Sequence, residues 1–433
     1  VITQIEIEGF KSLQHVKLKL GHFNLFVGTN ASGKSNFFDA LRFLQGLGYG
    51  FTIEEIFNGK PKSANSEVWE RIRGGSSYAD FIGNNRAHTT GGESLIRFNI
   101  ELQLDSASER TIRYEIDVSA KLGSVRREKL SLNGSEIFDS TPLTNLSNSP
   151  VIEAKYYPGG KGRSPHLKFE KSRPILQQLL RNDDCKREHR EIIKLCLQAL
   201  TNTQRIDPSP AMLREYSQTQ LIRRMGERGE NFAALVNAIA SNEKARSAYV
   251  SWLKELTPTE VEDVKVLEGA LGEPFFALTE RNQDYPAPIL SDGTLRFAAI
   301  AAAFFQPDMP DLLTIEEIEN GIHPTRLRLL VELLKSQAKQ NIQVIATTHS
   351  PIVLAWLKKE DYATTFFCNR DEQTGASVIK PLDQIPRFLK LVSKQPISDL
   401  LMKETLQNYN GLLQRCPELA ELEKRIRLLL MKS

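Results

Sequence analysis

Residues 2–8 set Ile2, Ile5 and Ile7 among polar neighbours, and Val16-Lys17-Leu18-Lys19-Leu20 alternates strictly. Both patterns predict strands with one buried face. Phe23-Asn24-Leu25-Phe26-Val27 is a short apolar run and reads as a buried strand. From Asn36 to Leu47, Phe37, Ala40, Leu41 and Leu44 recur at helical spacing. Residues 50–92 are rich in Gly, Ser and Asn and predict loops with a few short elements. Alternation returns over residues 94–138, from Leu95 to Leu102, Thr111 to Val118 and Lys129 to Leu132. Asn133-Gly134 is a hairpin turn signal before Ile137. An antiparallel sheet is expected there.

Residues 140–170 contain Pro142, Pro150, Pro158 and Pro165 and read as irregular. From 172 to 270 the pattern turns helical, through Ile192, Ile193, Leu195, Cys196 and Leu200, then Phe232, Leu235, Val236 and Ile239, then Tyr249, Trp252, Leu253 and Leu256. Pro208, Pro210 and Pro258 break that region and exclude sustained coiled-coil heptads. Leu295 to Phe305 is an apolar helix, and buried strands are expected at Leu312 to Ile315 and Gln343 to Thr347. After 352 a mixed segment ends in a helical tail, Leu419 to Leu430.

The chemistry begins at the end of the run at Phe23. Gly28-Thr29-Asn30-Ala31-Ser32-Gly33-Lys34-Ser35 is the P-loop pattern between a strand and a helix, the context it requires. Glycines let backbone N–H groups turn inward on phosphate oxygens, and the helix start adds positive partial charge. Lys34 can reach the outer phosphates, and the Ser35 hydroxyl can ligate Mg²⁺.

Bulk properties change this picture little. The 433 residues suffice for two or three domains, and 40% apolar with 25% charged residues is ordinary for a globular chain. A net charge of +3 neither requires nor excludes nucleic acid. No apolar run approaches a membrane span, and Val1 to Glu6 lacks a signal-peptide pattern, so a cytoplasmic protein is expected. Cys185, Cys196, Cys368 and Cys416 lack metal spacing and read as reduced thiols.

Three further segments offer a second half to the site. Leu290-Ser291-Asp292-Gly293-Thr294 opens an apolar helix and is either an anion-binding helix start or a plain N-cap. Leu312-Leu313-Thr314-Ile315-Glu316-Glu317 ends a strand in two carboxylates, one suited to Mg²⁺ and the next to polarising water, or forms an ordinary acidic loop. Gln343-Val344-Ile345-Ala346-Thr347-Thr348-His349 ends a strand in a histidine, which can bond a γ-phosphate or be purely structural. Their order, with strand ends at the carboxyl edge of one parallel sheet, favours the functional alternative in each case.

These segments together resemble the ABC-type ATPase heads of the RecF, SMC and OLD group, in particular compact bacterial ATPases without a long coiled coil or a Toprim domain. The resemblance covers residues 1–50 and 275–355, more weakly 90–135. Gly9-Phe10-Lys11-Ser12 is similar to the opening motif, Phe26 to Asn36 to Walker A, Leu290 to Thr294 to the signature, Ile315-Glu316-Glu317 to Walker B, and Thr348-His349-Ser350-Pro351 to the switch histidine. Two positions depart: Glu316 stands where Asp is usual, and Asp292 where Gly is common. The glutamine that usually lines the metal site has no clear counterpart, Gln45 and Gln103 being poor candidates.

The resemblance implies an α/β P-loop head with an antiparallel β subdomain and a helical insertion. It implies head segments at 1–139 and 275–385, the insertion at 140–274 and a helical tail at 386–433. It further implies a Mg²⁺-dependent ATPase, with Glu317 and His349 catalytic. Lys11, Gly28, Asn30, Ala31, Ser32, Gly33, Lys34, Ser35, Asn36, Ser291 and Gly293 would bind ATP, and Ser35 and Glu316 would bind Mg²⁺. Two copies would pair through ATP, P-loop against signature, as a homodimer or an assembly of dimers. DNA and a protein effector are both open as partners, in DNA maintenance or antiphage defence, or in a regulatory scaffold. Lys155 to Arg173 offers basic residues interleaved with Tyr156, Tyr157 and Phe169, either a nucleic-acid surface or a solvated loop with core-facing aromatics.

Overall fold

The computed structural model describes residues 1–60, 69–81, 89–90, 93–105, 108–140, 149–159, 164–217, 222–256, 261–269, 272–339 and 342–386. The expected tail at 386–433 therefore lies almost wholly outside the described residues, as do Lys161 and Arg163. The fold is mixed α/β and divides into two compact units. Among the described residues, one comprises Val1–Gly21, Thr29–Thr203 and Phe367–Pro381, the other His22–Gly28, Gln204–Phe366 and 382–386.

The first unit is built on an eight-stranded sheet. Its order is His166–Glu170, Val151–Tyr156, Ser135–Asp139, Ser124–Leu132, Ser108–Ser119, Ile96–Asp105, Ile2–Phe10 and Leu13–Lys19. Register explains its two faces. Ile5 stands opposite Leu18 and Ile100, and Ile7 opposite Val16 and Phe98, so one face is continuous apolar surface. The other carries cross-strand ion pairs such as Lys17 with Glu6, Arg97 with Glu8 and Arg127 with Glu115. Each such partly exposed pair contributes about 1 kcal/mol or less, so the apolar face supplies the stability. Helix Lys34–Tyr49 packs its aromatic stripe there, Phe43 lying 4.9 Å from Phe98 and 5.0 Å from Phe57 between ring centroids.

Residues 140–170 differ from the irregular reading. They contain two strands, because Pro150, Pro158 and Pro165 flank Val151–Tyr156 and His166–Glu170 and interrupt neither. Tyr156 and Phe169 are buried, so the core-facing alternative holds for these two aromatics and they offer no surface for stacking bases.

The second unit holds a parallel trio in the order Leu312–Ile315, Gln343–Thr348, Phe23–Gly28. Every residue of these three strands is buried, which accounts for their mainly apolar character. Of the polar residues they enclose, Asn24 donates its side-chain amide to the Val344 carbonyl at 3.3 Å. Strand Thr203–Ile206 lies on the far side of Leu312–Ile315. It is too short, and too near Pro208, to show in the sequence as a break in the helical pattern. An antiparallel meander, Val261–Glu268, Pro274–Glu280 and Gln283–Pro286, packs with helices Phe232–Ala240 and Glu243–Leu256. Among the described residues no helix is long and apolar enough to cross a membrane. Cys185, Cys196 and Cys368 are buried free thiols.

One buried acid ties the large sheet to the helix beyond it. Glu128 accepts the backbone N–H groups of Ile175 at 2.6 Å and Leu176 at 2.9 Å, and the Tyr114 hydroxyl at 3.0 Å. Burial outweighs these bonds and pushes its carboxyl from 4.5 up to about 7. The unfolded chain ionises near 4.5 whereas the folded carboxyl stays protonated until about 7. Its stabilising contribution is thus full below 4.5 and lost as the pH rises through that window. Glu128→Gln should remove this slope, changing the pH 5 to pH 7.5 difference in unfolding free energy by about 3 kcal/mol. Urea denaturation at the two pH values checks it, and parallel slopes in both proteins would refute it.

Candidate functional site

In the first unit the P-loop turns on two left-handed residues, Ala31 at φ 62° and Gly33 at φ 101°. Gly33 has no room for a side chain: a Cβ there would lie 2.0 Å from Ser377 Oγ and 3.1 Å from Ser12 Oγ. Ser12 bonds Ser377 Oγ at 2.6 Å and accepts the Asn36 side-chain amide at 2.6 Å, so the opening motif braces the loop from below. Lys34 is buried and its Nζ donates to the Thr29 carbonyl at 2.8 Å, across the loop. Lys11, also left-handed at φ 50°, donates to the Asp39 carboxylate and to the Arg73 carbonyl at 2.7 Å. Burial lowers its pKa, opposed by Asp39. Arg73, on a Gly-Gly loop, donates to the Ser35 carbonyl at 2.6 Å and to Asp39. Asn30 and Ala31 are exposed and Ser32 is buried at the turn.

In the second unit the strand ends converge as the sequence predicts. The His349 ring lies between two acceptors, the Gly28 carbonyl 2.9 Å from Nδ1 and the Glu317 carboxylate 2.9 Å from Nε2. A carbonyl only accepts, so Nδ1 carries hydrogen, and the contact at Nε2 needs a second proton shared with Glu317. Glu317 is held from every side. Its φ is 48°, its N–H donates to Thr347 Oγ1 at 2.9 Å, and its second carboxylate oxygen accepts from Asn320 at 2.5 Å. The Arg296 guanidinium donates to the carbonyls of Glu316 at 3.0 Å and Glu317 at 3.3 Å. Glu319 accepts the His349 backbone N–H. Glu316 pairs with Arg205 at 2.9 Å.

Helix Asp292–Ala302 begins at Ser291, whose hydroxyl accepts the Thr294 N–H at 3.2 Å and so caps the helix. Ser291 and Asp292 are exposed at this tip. Asp292 is neutralised by Arg214 at 2.5 Å, which answers the repulsion its charge would offer an anion there. Gly293 is fixed by packing: a Cβ would stand 2.3 Å from the Gly321 carbonyl oxygen. The helix tip and the turn after Glu317 are therefore in backbone contact.

Both candidate glutamines have partners in this fold. The Gln45 amide donates to Thr201 and Thr203 carbonyls, and the Gln103 backbone pairs with Val1. Sequence reasoning missed Arg296, Arg205, Arg73, Asn320 and Thr347. Arg296 had a signal, as the one charge in the apolar stretch Leu295 to Phe305. The others had none.

Two family profiles cover these segments. Residues 1–209 match the one described as "AAA ATPase domain", and residues 208–355 match "AAA domain, putative AbiEii toxin, Type IV TA system". Over these segments the chain is similar to AAA ATPase domains, each match spanning less than half of its length. It is 22% identical over 390 residues to an ATP/GTP phosphatase of Helicobacter pylori, covering 86% of this chain and 94% of that one. An SMC head bound to the C-terminal winged-helix domain of ScpA aligns at 15% identity over 88% of this chain and 99% of its own, with TM-score 0.49. An SMC head from Thermotoga maritima aligns at 14% identity over 88% and 98%, with TM-score 0.41. The expectation of a nucleotide-hydrolysing enzyme is met.

Gly293→Ala should force the tip off the Gly321 carbonyl and cost about 1–3 kcal/mol. The loss should show as a lowered melting temperature, with ATP turnover falling more than ATP binding. Wild-type melting would refute the backbone contact.

Proposed function

We propose that this chain is a Mg²⁺-dependent ATPase that works as a dimerisation switch, two copies closing on ATP and parting after hydrolysis. The observation that carries the reading is the His349 bridge between Gly28, where the P-loop begins, and Glu317. In this reading the P-loop backbone from Gly28 to Asn36 and Lys34 bind the phosphates. Lys11 supports the loop from the opening motif, and its engagement by Asp39 makes that support indirect. The exposed tip at Ser291 and Gly293 presents N–H groups and a helix dipole to the partner copy's nucleotide. Glu317 orients the attacking water and takes its proton on the carboxylate, and His349 holds Glu317 in place through the Nε2 contact.

The donors fit Mg²⁺. A hydroxyl and a carboxylate, Ser35 and Glu316, are hard oxygen ligands, and Mg²⁺ is commonly held by one or two protein groups plus phosphate and water. The triad of metal-ligating type among the described residues, Glu6, Glu8 and His15, lies elsewhere and is already met by Lys17 and Arg97. When bound, the ion would neutralise charge on the outer phosphates.

For purpose, the toxin–antitoxin wording of the matched profile supports a defence role in which the ATPase controls a protein effector. Action on DNA is the second reading, and the burial of Tyr156 and Phe169 weakens it. Hydrolysis measured with and without duplex DNA separates the two, since stimulation by DNA that fades with added salt belongs to the second alone.

Lys34→Ala should lower ATP affinity about a hundredfold, the worth of a charge-assisted contact to phosphate. Isothermal titration measures it, and unchanged affinity would contradict the P-loop assignment. Glu317→Gln should bind ATP normally, hydrolyse it about 10²–10⁴ times more slowly, and accumulate as a dimer in light scattering. Turnover at the wild-type rate would place the base elsewhere.

A further inference from the structure

Arg205 lies in the strand Thr203–Ile206, beside the strand that ends in Glu316. Its guanidinium is shared between two carboxylates, Glu316 at 2.9 Å and Glu227 at 3.3 Å. The two seats differ. The Glu316 side chain is 12% exposed and Glu227 37%. The guanidinium is charged at every working pH, so it competes for Glu316 with any cation that needs the same oxygens. An aspartate at 316 would be one methylene shorter. Glutamate gives the carboxylate the reach to meet the arginine of the neighbouring strand.

We propose that Arg205 is a charge latch on Glu316, holding that carboxylate until a divalent cation arrives with nucleotide and then shifting its weight to Glu227. The proposal rests on the reading of Glu316 as a metal ligand. Its physical basis is Coulombic. A divalent ion outbids a monovalent guanidinium for one carboxylate and repels it, and a second carboxylate within reach lowers the cost of that displacement. The latch keeps an enclosed acid paired when metal is absent, and weakens metal binding in proportion to its grip. The chain should therefore demand both nucleotide and metal before Glu316 changes partner.

Mn²⁺ is the probe, its free signal followed by electron paramagnetic resonance in titrations of the full chain with a non-hydrolysable ATP analogue. Arg205→Gln should raise Mn²⁺ affinity about tenfold, because the competitor is gone. Glu227→Gln should lower it about threefold, because Arg205 then has one seat only. Glu316→Gln should lower it below wild type, and the Arg205→Gln gain should vanish in that background. Analogue affinity without metal should be the same in all variants. If Glu316→Gln weakens Mn²⁺ binding but Arg205→Gln leaves it unchanged or weaker, the latch is overturned and the ligand reading stands. If Glu316→Gln has no effect, the ligand reading itself fails and takes the latch with it. Should Arg205→Gln melt early, Glu227→Gln carries the test at a half-exposed position, and an unchanged or raised affinity there overturns the proposal.

Discussion

His349 joins two strand ends that are far apart in the chain, and the chemistry assigned to the site depends on that junction. The Gly28 carbonyl fixes which ring nitrogen carries hydrogen, and the other nitrogen meets the acid proposed to activate water. The bridge is possible because three parallel strands share register, with Thr347 opposite Phe26 and Ile315 opposite Ala346. A slip of one residue in the pairing of Gln343–Thr348 would turn His349 to the other face and break its contact with Glu317. The full burial of these strands forbids such a slip, since it would expose or strand their apolar side chains.

Backbone strain marks the same places. Apart from asparagines, the non-glycine residues with positive φ among those described are Lys11, Ala31, Arg281 and Glu317. Arg281 belongs with Asn282 to a two-residue hairpin turn, where that conformation is the rule. The other three are residues assigned to the nucleotide site from sequence. Each left-handed residue costs on the order of 1 kcal/mol or more and persists only where its surroundings fix it. For Glu317 those surroundings are Thr347, Asn320, Arg296 and His349, drawn from three elements. The acid is thus held in position by the protein alone, as the catalytic role proposed for it requires.

Much of this was legible because the informative residues are backbone-defining or lie at strand ends. The P-loop is spelled out in consecutive residues, and the buried strands before Glu316 and His349 announce themselves as unbroken apolar runs. Proline misled where it flanked rather than broke an element, hiding the strands at Val151 and His166. Ion pairs such as Arg205 with Glu316 are invisible for a different reason. They join residues more than a hundred positions apart, and a lone arginine on a four-residue strand has no pattern to betray it. Asp292 shows the reverse. Alone in the sequence its charge would repel an anion, and the fold sets Arg214 beside it.

Cys368 bears on the Walker lysine in a way the motifs do not suggest. It is fully enclosed, and burial pushes its thiol up to about 12 against the pull of Lys34, whose positive charge favours the thiolate. Were the sulfur to ionise, the lysine would acquire an internal counter-ion and lose the hold on phosphate proposed for it. Packing keeps that sulfur neutral and beyond the reach of oxidants, which attack thiolates at accessible positions. The charge on Lys34 thereby stays available for the anion proposed to bind it.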